Sequence, residues 1–424
     1  MDRHCPMVDI KQHMTRAREL GLDNGQVPAE YYTSPEYFDR EKEMIFRRAW
    51  LMVGREDEVV RPGDYIVREL PTLDASVIIA RGKDGVVRAF HNACSHRGVA
   101  LACQERGNAL TFRCPYHAWT YGNDGALRAI PAEQDFPHVD KSKNGLTPIH
   151  LDIWSGFVFL NFAPEPEVTL HEFLAGLDDM LEGAPFEDFP FHADVTAEID
   201  ANWKFMVNAF NEGYHVAILH QKTLRPMVIP SENPHLHYLD IRSFGPHSSA
   251  TVQRNFDWAP STPTLSWVIS QMLPTSVPDK EAIAEGRAGF YEHPGINRLK
   301  IPNFGTETIT IFPNISIQPL ANGYLFYQFW PLSHNRMRTE VRIYSRAAPQ
   351  NLREEFALAN TLAATRDVVS EDLAMCRMQQ VGMTGGGKSH QNFGQNEPLL
   401  RMFTRDYEAY LAGGGMKPLA AAAE

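Results

Sequence analysis

The chain has 424 residues, more than one average domain, and its 43% hydrophobic and 22% charged content is that of an ordinary globular protein. A formal net charge of -12 argues against a nucleic-acid partner, because phosphate binding calls for a basic surface. No apolar run approaches a membrane span, and the opening MDRHCPMVDIKQH has neither an apolar core nor twin arginines, so a cytoplasmic location is expected.

Residues 12–24 and 36–50 read as helices, the second opening near Ser34 and Pro35 with Tyr37, Phe38, Met44, Ile45 and Trp50 at loosely helical spacing. From about 50 the texture changes to short Val- and Ile-rich runs, such as 65–67 and 77–80, separated by Gly-containing turns. These predict a small all-β domain that closes near 159–164. Residues 170–182 look helical, 191–200 look like a strand, and 201–220 read as one helix. A Pro- and His-rich stretch from 221 to 300 reads as irregular. Strand patterns return at 307–318, 323–331 and 337–346. A long amphipathic helix is expected over 351–381, stopped by the glycines at 385–387, and the Ala-rich 416–424 should fray. The resulting division is an N-terminal helical segment (1–49), an all-β domain (50–165) and a larger domain (166–424).

The all-β segment carries Cys94-Ser-His96 and, after 17 intervening residues, Cys114-Pro-Tyr-His117. Two thiolates and two imidazoles fit a Rieske [2Fe–2S] centre, with Cys94 and Cys114 on one iron and His96 and His117 on the other. A structural zinc site uses the same residue types. Zinc fingers, however, usually pair Cys with Cys and His with His, whereas each half here supplies one of each, as an asymmetric two-iron cluster requires. Gly98, Pro115, Trp119 and Gly122 suit tight loops and packing around it. Cys5, Cys103 and Cys376 are left over and read as indifferent or buried thiols rather than disulfide partners.

The larger domain contains Asn202-Trp203-Lys204, Asn208, Glu212, Tyr214, His215 and His220 in one 19-residue string. Residues five apart on a regular helix point about 140° away from each other, so His215 and His220 can share an ion only if the helix ends or distorts between them. Two His and one carboxylate would make the facial triad of non-haem Fe(II) oxygenases, which leaves positions open for O₂ and substrate. Candidate carboxylates lie at Asp367, Glu371 and Asp372.

With these motifs in this order, the chain resembles the Rieske non-haem iron oxygenases, specifically the α subunits of ring-hydroxylating dioxygenases. The resemblance implies an α+β fold in which a Rieske domain sits near the N-terminus of a helix-grip catalytic domain with an antiparallel sheet. It implies mononuclear iron on His215, His220 and Asp372. Glu371 and Asp367 by themselves read as solvated helix charges. It also implies a trimer, alone or with a β subunit, in which Glu212 links His215 to His117 of the partner subunit. Most ring dioxygenases use Asp at the Glu212 position, and Glu is similar to the branch acting on quaternary ammonium compounds. Asn208 matches a position near the iron, where a neutral amide could steer substrate or water, and reads equally as a helix residue hydrogen-bonded to backbone. Phe205, Met206, Phe210 and Leu219 read as core and Tyr214 as structural. No Gly-rich dinucleotide fingerprint appears, so an NAD(P)H-dependent reductase, with or without a ferredoxin, should be a separate polypeptide. An aromatic or hydrophobic substrate leads, hydroxylated or cis-dihydroxylated, with monooxygenation or N-demethylation of a quaternary ammonium compound as the alternative and electron transfer alone as a remote one. An aromatic cage would suit a cation and an arginine an aromatic acid. Tyr291, Phe304, Phe312, Phe326, Arg225 and Arg254 offer both residue types without being placed.

Overall fold

The computed structural model describes residues 14, 16–259, 289–301, 303–321 and 323–414, in two units, one of residues 40–173 and the other of the residues before 40 and from 174 to 414. Cys5 and the frayed terminus lie outside the described residues. Of the helix expected over 12–24, the described part is a short 3-10 turn, Ala17–Leu20, stopped by Gly21 in the left-handed region at φ 65°. Strand β1 (Gln26–Pro28) follows. The second expected helix is Pro35–Glu41, continued by a wider turn at Lys42–Phe46, and it stops short of 50.

In the unit 40–173, hairpin turns between β-branched runs give only antiparallel pairing. The strands are β2 (Leu51–Arg55), β3 (Asp64–Leu70), β4 (Ala75–Arg81), β5 (Val87–His91), β6 (Arg106–Asn108), β10 (Pro148–Trp154) and β11 (Phe157–Asn161), in the order β2-β11-β10-β5-β4-β3-β6. A smaller sheet contains β7 (Thr111–Arg113), β8 (Thr120–Gly122) and β9 (Leu127–Ala129). One buried cluster holds Tyr65, Ile78, Phe90, Phe112, Trp119 and Tyr121 together with Cys94 and Cys114. The two thiols therefore sit in the hydrophobic core of this unit.

The other unit is built on a seven-stranded antiparallel sheet: β12 (Phe191–Ile199), β13 (Leu239–Phe244), β14 (His247–Gln253), β15 (Phe304–Ile311), β16 (Ile315–Leu320), β17 (Gly323–Ser333) and β18 (Arg336–Ser345), in the order β12-β18-β17-β16-β15-β14-β13. The expected strand 307–318 is thus two strands, and 221–300 contains two that were read as irregular. Tyr324 of β17 lies opposite Tyr344 of β18, and their rings stack at 4.4 Å. Phe186, Phe189 and Phe290 pack edge-on or stacked around Tyr324. Each such buried ring contributes roughly 1.5–3 kcal/mol relative to exposure.

A helix of 33 residues, Leu352–Thr384, packs on β12 and on the short helix Lys204–Phe210. It is capped by the Asn351 side chain, which accepts the Glu354 N–H at 3.1 Å. It is not amphipathic in the expected sense. Its buried line runs Val369, Asp372, Leu373, Cys376 and Gln380, two of them polar, while Met378 and Val381 are exposed. Gln380 accounts for its burial by accepting from the Asn202 N–H at 2.8 Å and donating to the Tyr32 carbonyl at 3.2 Å. Strand β19 (His390–Asn392) pairs with β1, and a last helix, Pro398–Leu411, opens on a proline at its first position.

The sheet also buries a carboxylate. Glu307 accepts from Thr251 Oγ1 at 2.9 Å, the Asn297 N–H at 3.0 Å and Ser249 Oγ at 3.2 Å, with Arg242 Nη2 at 3.6 Å. Burial outweighs these partners and pushes its pKa up from 4.5 to about 7. The folded state therefore holds this proton more tightly than the unfolded chain does, and the stability it contributes is lost as pH rises from 4.5 to about 7. Glu307→Gln is expected to flatten the dependence of Tm on pH across that window. A variant whose melting curve tracks pH as steeply as the parent's would refute the assignment.

Candidate metal centres

The two cysteine loops of the unit 40–173 are built alike. The Cys94 N–H donates to the Val99 carbonyl at 2.9 Å and its carbonyl accepts from the Gly98 N–H at 2.8 Å. The Cys114 N–H donates to the Trp119 carbonyl at 2.8 Å and its carbonyl accepts from the Ala118 N–H at 3.0 Å. Each loop turns back through a left-handed residue four positions after its cysteine, Gly98 at φ 75° and Ala118 at φ 58°. Matching turns bring His96 and His117 together with ring centroids 4.7 Å apart, although one follows its cysteine by two residues and the other by three. Trp119 stacks on His96 at 4.9 Å and Phe136 meets it edge-on.

The donor set fits a metal cluster. The Nδ1 atoms of His96 and His117 are both buried and have no hydrogen-bond partner, an arrangement that costs free energy unless something binds them. Burial, His117 and Arg97 lower the pKa of His96, which favours the neutral, ligating form. Tyr121 places its hydroxyl 3.2 Å from Cys94 Sγ while accepting the Ser95 N–H at 2.9 Å. Burial and the neighbouring Cys94 push that phenol up to about 12, so it keeps its proton.

In the other unit, the helix expected over 201–220 stops at Phe210. Asn211 turns its side-chain amide back onto the Val207 carbonyl at 3.0 Å and accepts from Thr310 Oγ1 at 2.7 Å. A Cβ on Gly213 would lie 2.3 Å from the Leu236 carbonyl oxygen, so only glycine lets the chain pass there. A separate turn at Tyr214–Ala217 follows. That turn ends at Ala217 and the chain from 218 to 220 is no longer helical, so two histidines five apart face one point.

That point is completed by the long helix. Asp372 Oδ1 lies 3.1 Å from His220 Nε2 and 3.6 Å from His215 Nε2, and one ligand atom from each residue falls within 4.8 Å of the others. His220 and Asp372 are buried. The far side of each imidazole is held by a carboxylate. His215 Nδ1–H donates to Glu212 Oε1, and His220 Nδ1–H donates to Glu371 Oε2 at 2.6 Å. These bonds leave both Nε2 atoms free to ligate. Three carboxylates around two imidazoles leave excess negative charge, and Asp372 Oδ1 is buried without a hydrogen bond, so the set fits a divalent cation. Burial opposes charging both histidines, yet Glu212 for His215, and Asp372 with Glu371 for His220, raise their pKa values above the ordinary range.

Several residues stand differently from the sequence reading. Glu371 is no solvated charge: it also accepts from Thr223 Oγ1 at 2.7 Å and fixes the His220 ring, whereas Asp367 is exposed and pairs with Arg366. Tyr214 is 54% exposed and so not a packing residue. Asn208, in keeping with its expected place, lines a cavity with Glu212, His215 and Asp372, and it donates to the Tyr32 hydroxyl at 3.0 Å. Phe205 and Met206 are core, Phe205 stacking on Tyr32, whereas Phe210 and Leu219 line cavities and are only half-buried. A partner that orients a ligating histidine is worth 10–100-fold in metal affinity as a rough guide. Glu371→Ala is therefore expected to weaken iron binding by about that factor, measured by chelator competition, with no change at the cysteine loops.

Two cavities meet at this centre. One, of about 430 Å³, is lined by His215, His220 and Asp372, by the rings of Phe210, Tyr238, Trp258 and Tyr327, and by Arg254. The other, of about 710 Å³, lies past Asn208, Glu212 and His215 toward Met375, Met378 and Phe393. Tyr291, Phe304, Phe312, Phe326 and Arg225 line neither cavity.

Fold and donor sets together define a two-centre Rieske-type metalloprotein architecture. The Rieske [2Fe–2S] domain family matches residues 49–142, and the ring hydroxylating alpha subunit catalytic domain family matches residues 186–413. The chain belongs to the ring-hydroxylating α-subunit family. It is 35% identical over 196 residues to the carnitine monooxygenase oxygenase subunit of Escherichia coli K12, an alignment that takes in 46% of this chain and spans about half, 52%, of that relative. It is 27% identical over 324 residues to the glycine betaine monooxygenase oxygenase subunit of Pseudomonas aeruginosa UCBPP-PA14, covering 76% and 73% of the two chains. Among solved structures it resembles a quaternary ammonium Rieske monooxygenase in complex with L-carnitine (TM-score 0.72, 22% identity, 93% of this chain and 97% of that one). Naphthalene 1,2-dioxygenase with indole bound is similar to the same degree (TM-score 0.72, 22% identity, 92% and 93%). No helix among the described residues is long and apolar enough to cross a membrane.

Proposed function

We propose that this chain is the oxygenase component of a cytoplasmic Rieske system that uses O₂ and electrons from a separate NAD(P)H-dependent reductase to oxygenate a small organic substrate. The observation that carries this reading is the convergence of His215, His220 and Asp372 at the wall of an aromatic-lined cavity, in a chain that also holds the Cys94, His96, Cys114 and His117 loops. When bound, a [2Fe–2S] cluster on those loops supplies single electrons, and iron on the triad supplies O₂ activation.

The protein's own groups do the rest. Glu212 and Glu371 hold the two imidazoles through Nδ1 and so keep Nε2 of each turned toward Asp372. The rings of Phe210, Tyr238, Trp258 and Tyr327 exclude water and hold an apolar body against the metal-facing wall. In a trimer, Glu212 would link His215 to His117 of the partner subunit. Glu212→Gln is then expected to cut turnover at least about tenfold, the scale on which such orienting partners act, with iron content and cluster spectrum retained.

An aromatic or hydrophobic substrate suits the ring-lined walls. The specific support for a quaternary ammonium compound is Glu212 together with the carnitine and glycine betaine relatives, since aromatic faces also attract cations. Product analysis with purified protein, a surrogate reductase, NADH and ¹⁸O₂ against arenes, aromatic acids and betaine-type amines tests the proposal. Two labelled oxygens on an arene make it a ring dioxygenase, and loss of a methyl group or one labelled hydroxyl on an ammonium compound makes it a monooxygenase. Oxygen consumption without labelled product from any class would count against the reading.

A further inference from the structure

Among the described residues, every buried or half-buried arginine except one meets a carboxylate. The pairs include Arg55 with Asp57, Arg68 with Glu58, Arg242 with Glu307 and Arg401 with Asp23. The exception is Arg254, which lines the 430 Å³ cavity that His215, His220 and Asp372 also line.

Its place is built rather than incidental. Arg254 follows the end of β14, and its N–H donates to the Asn303 carbonyl at 2.7 Å. The next residue is tied down too, the Asn255 N–H donating to the Met227 carbonyl at 2.7 Å and the Asn255 amide to the Pro226 carbonyl at 3.0 Å. Burial lowers the pKa of Arg254, and no carboxylate among the described residues offsets that; the nearby group acting on its charge is the Tyr291 phenol, which donates to the Gly305 carbonyl. The other polar side chains on the cavity wall include the neutral Gln318, Asn360, Thr361 and Thr365, and the acids Glu212 and Asp372 are committed to the histidines. A guanidinium half withdrawn from water with no counter-charge among the described residues is costly, and it becomes favourable when a planar anion reaches it with two parallel hydrogen bonds.

We infer that Arg254 is the carboxylate anchor of this cavity and that the substrate is a small organic monocarboxylate, held by its acid group with its apolar or ammonium portion among Phe210, Tyr238, Trp258 and Tyr327. This inference rests on the oxygenase reading of the cavity and narrows its substrate class. A volume of about 430 Å³ suits a molecule of that size. An aromatic acid and a trimethylammonium acid share the anchoring chemistry and differ only in the portion met by the rings.

The test is calorimetric binding to the full-length metal-loaded protein of matched pairs: benzoate against benzamide, substituted benzoates against their amides, and trimethylammonium acids of increasing chain length against theirs. At least one acid is expected to bind roughly ten- to a hundredfold more tightly than its amide, the effect of a charge-assisted pair. Arg254→Gln should abolish that preference and Arg254→Lys should retain part of it, with Tm unchanged in both because no ion pair among the described residues is lost. Which series shows the preference identifies the source of the acid. No acid preferred over its amide, or a preference that survives in Arg254→Gln, overturns the anchor. A neutral substrate oxygenated equally well by the parent and Arg254→Gln would also overturn it while leaving the oxygenase reading standing. Acid-selective binding with no labelled product from any acid would fail the oxygenase reading alone.

Discussion

Replacing His220 by alanine is expected to remove the mononuclear iron, lowering the metal content from about three irons per chain to about two and turnover to background, with the visible spectrum of the cluster unchanged. The size of the effect follows from geometry. His220 presents Nε2 to Asp372 at 3.1 Å and is 1% exposed, so no solvent-borne group can easily replace it, and alanine leaves Asp372 and His215 as a two-ligand site. The fold should survive, because Glu371 keeps Thr223 as a partner at 2.7 Å and the turn is fixed by the Arg225 N–H to the His220 carbonyl at 2.9 Å, which alanine preserves. Iron analysis beside a melting curve checks it. Retention of all three irons in a folded variant would remove His220 from the ligand set.

The same centre shows why some of the molecule was legible in the sequence and some was not. The Cys94 and Cys114 loops were readable because their geometry is local: each cysteine, its histidine and its left-handed residue lie within five positions, so spacing carries the information. The requirement that the helix end or distort between His215 and His220 could also be stated, since five-residue spacing on an intact helix points the two histidines apart, whereas the earlier stop at Phe210 could not. Asp372 was reachable only through family resemblance, because nothing within 150 residues of sequence connects it to His220. Glu371 was misread for a related reason. Neighbouring helix positions differ by about 100° in direction, and which of two adjacent acids faces inward depends on what packs there. Strand β14 escaped notice because most of its buried positions are polar: Ser249 and Thr251 donate to Glu307, and the Asn233 amide donates to Gln253 Oε1. Alternation of apolar and polar residues cannot reveal a strand whose buried side chains satisfy one another. The last helix, by contrast, carried a usable signal in Pro398 followed by Leu399, Leu400, Met402, Phe403 and Tyr407.

Cys114→Ala is expected to abolish the cluster altogether, leaving about one iron per chain and no visible absorption or Rieske electron paramagnetic signal. Turnover with reductase and NADH should fall to background. The loop itself should hold, because its two defining hydrogen bonds, from the Cys114 N–H to Trp119 and from Ala118 to the Cys114 carbonyl, involve only backbone atoms. The loss is therefore one of ligation rather than of folding, and the triad, in the other unit, should keep its iron. The pattern is the mirror image of His220→Ala: one variant keeps its colour and loses one iron, the other loses its colour with two. That opposition also decides between the two metals that a Cys₂His₂ set can take. A parent protein that is colourless and carries one zinc, lost on Cys114→Ala, would assign these loops to a structural site. Electrons would then have no carrier within this chain, and the oxygenase reading would lose the second of its two centres.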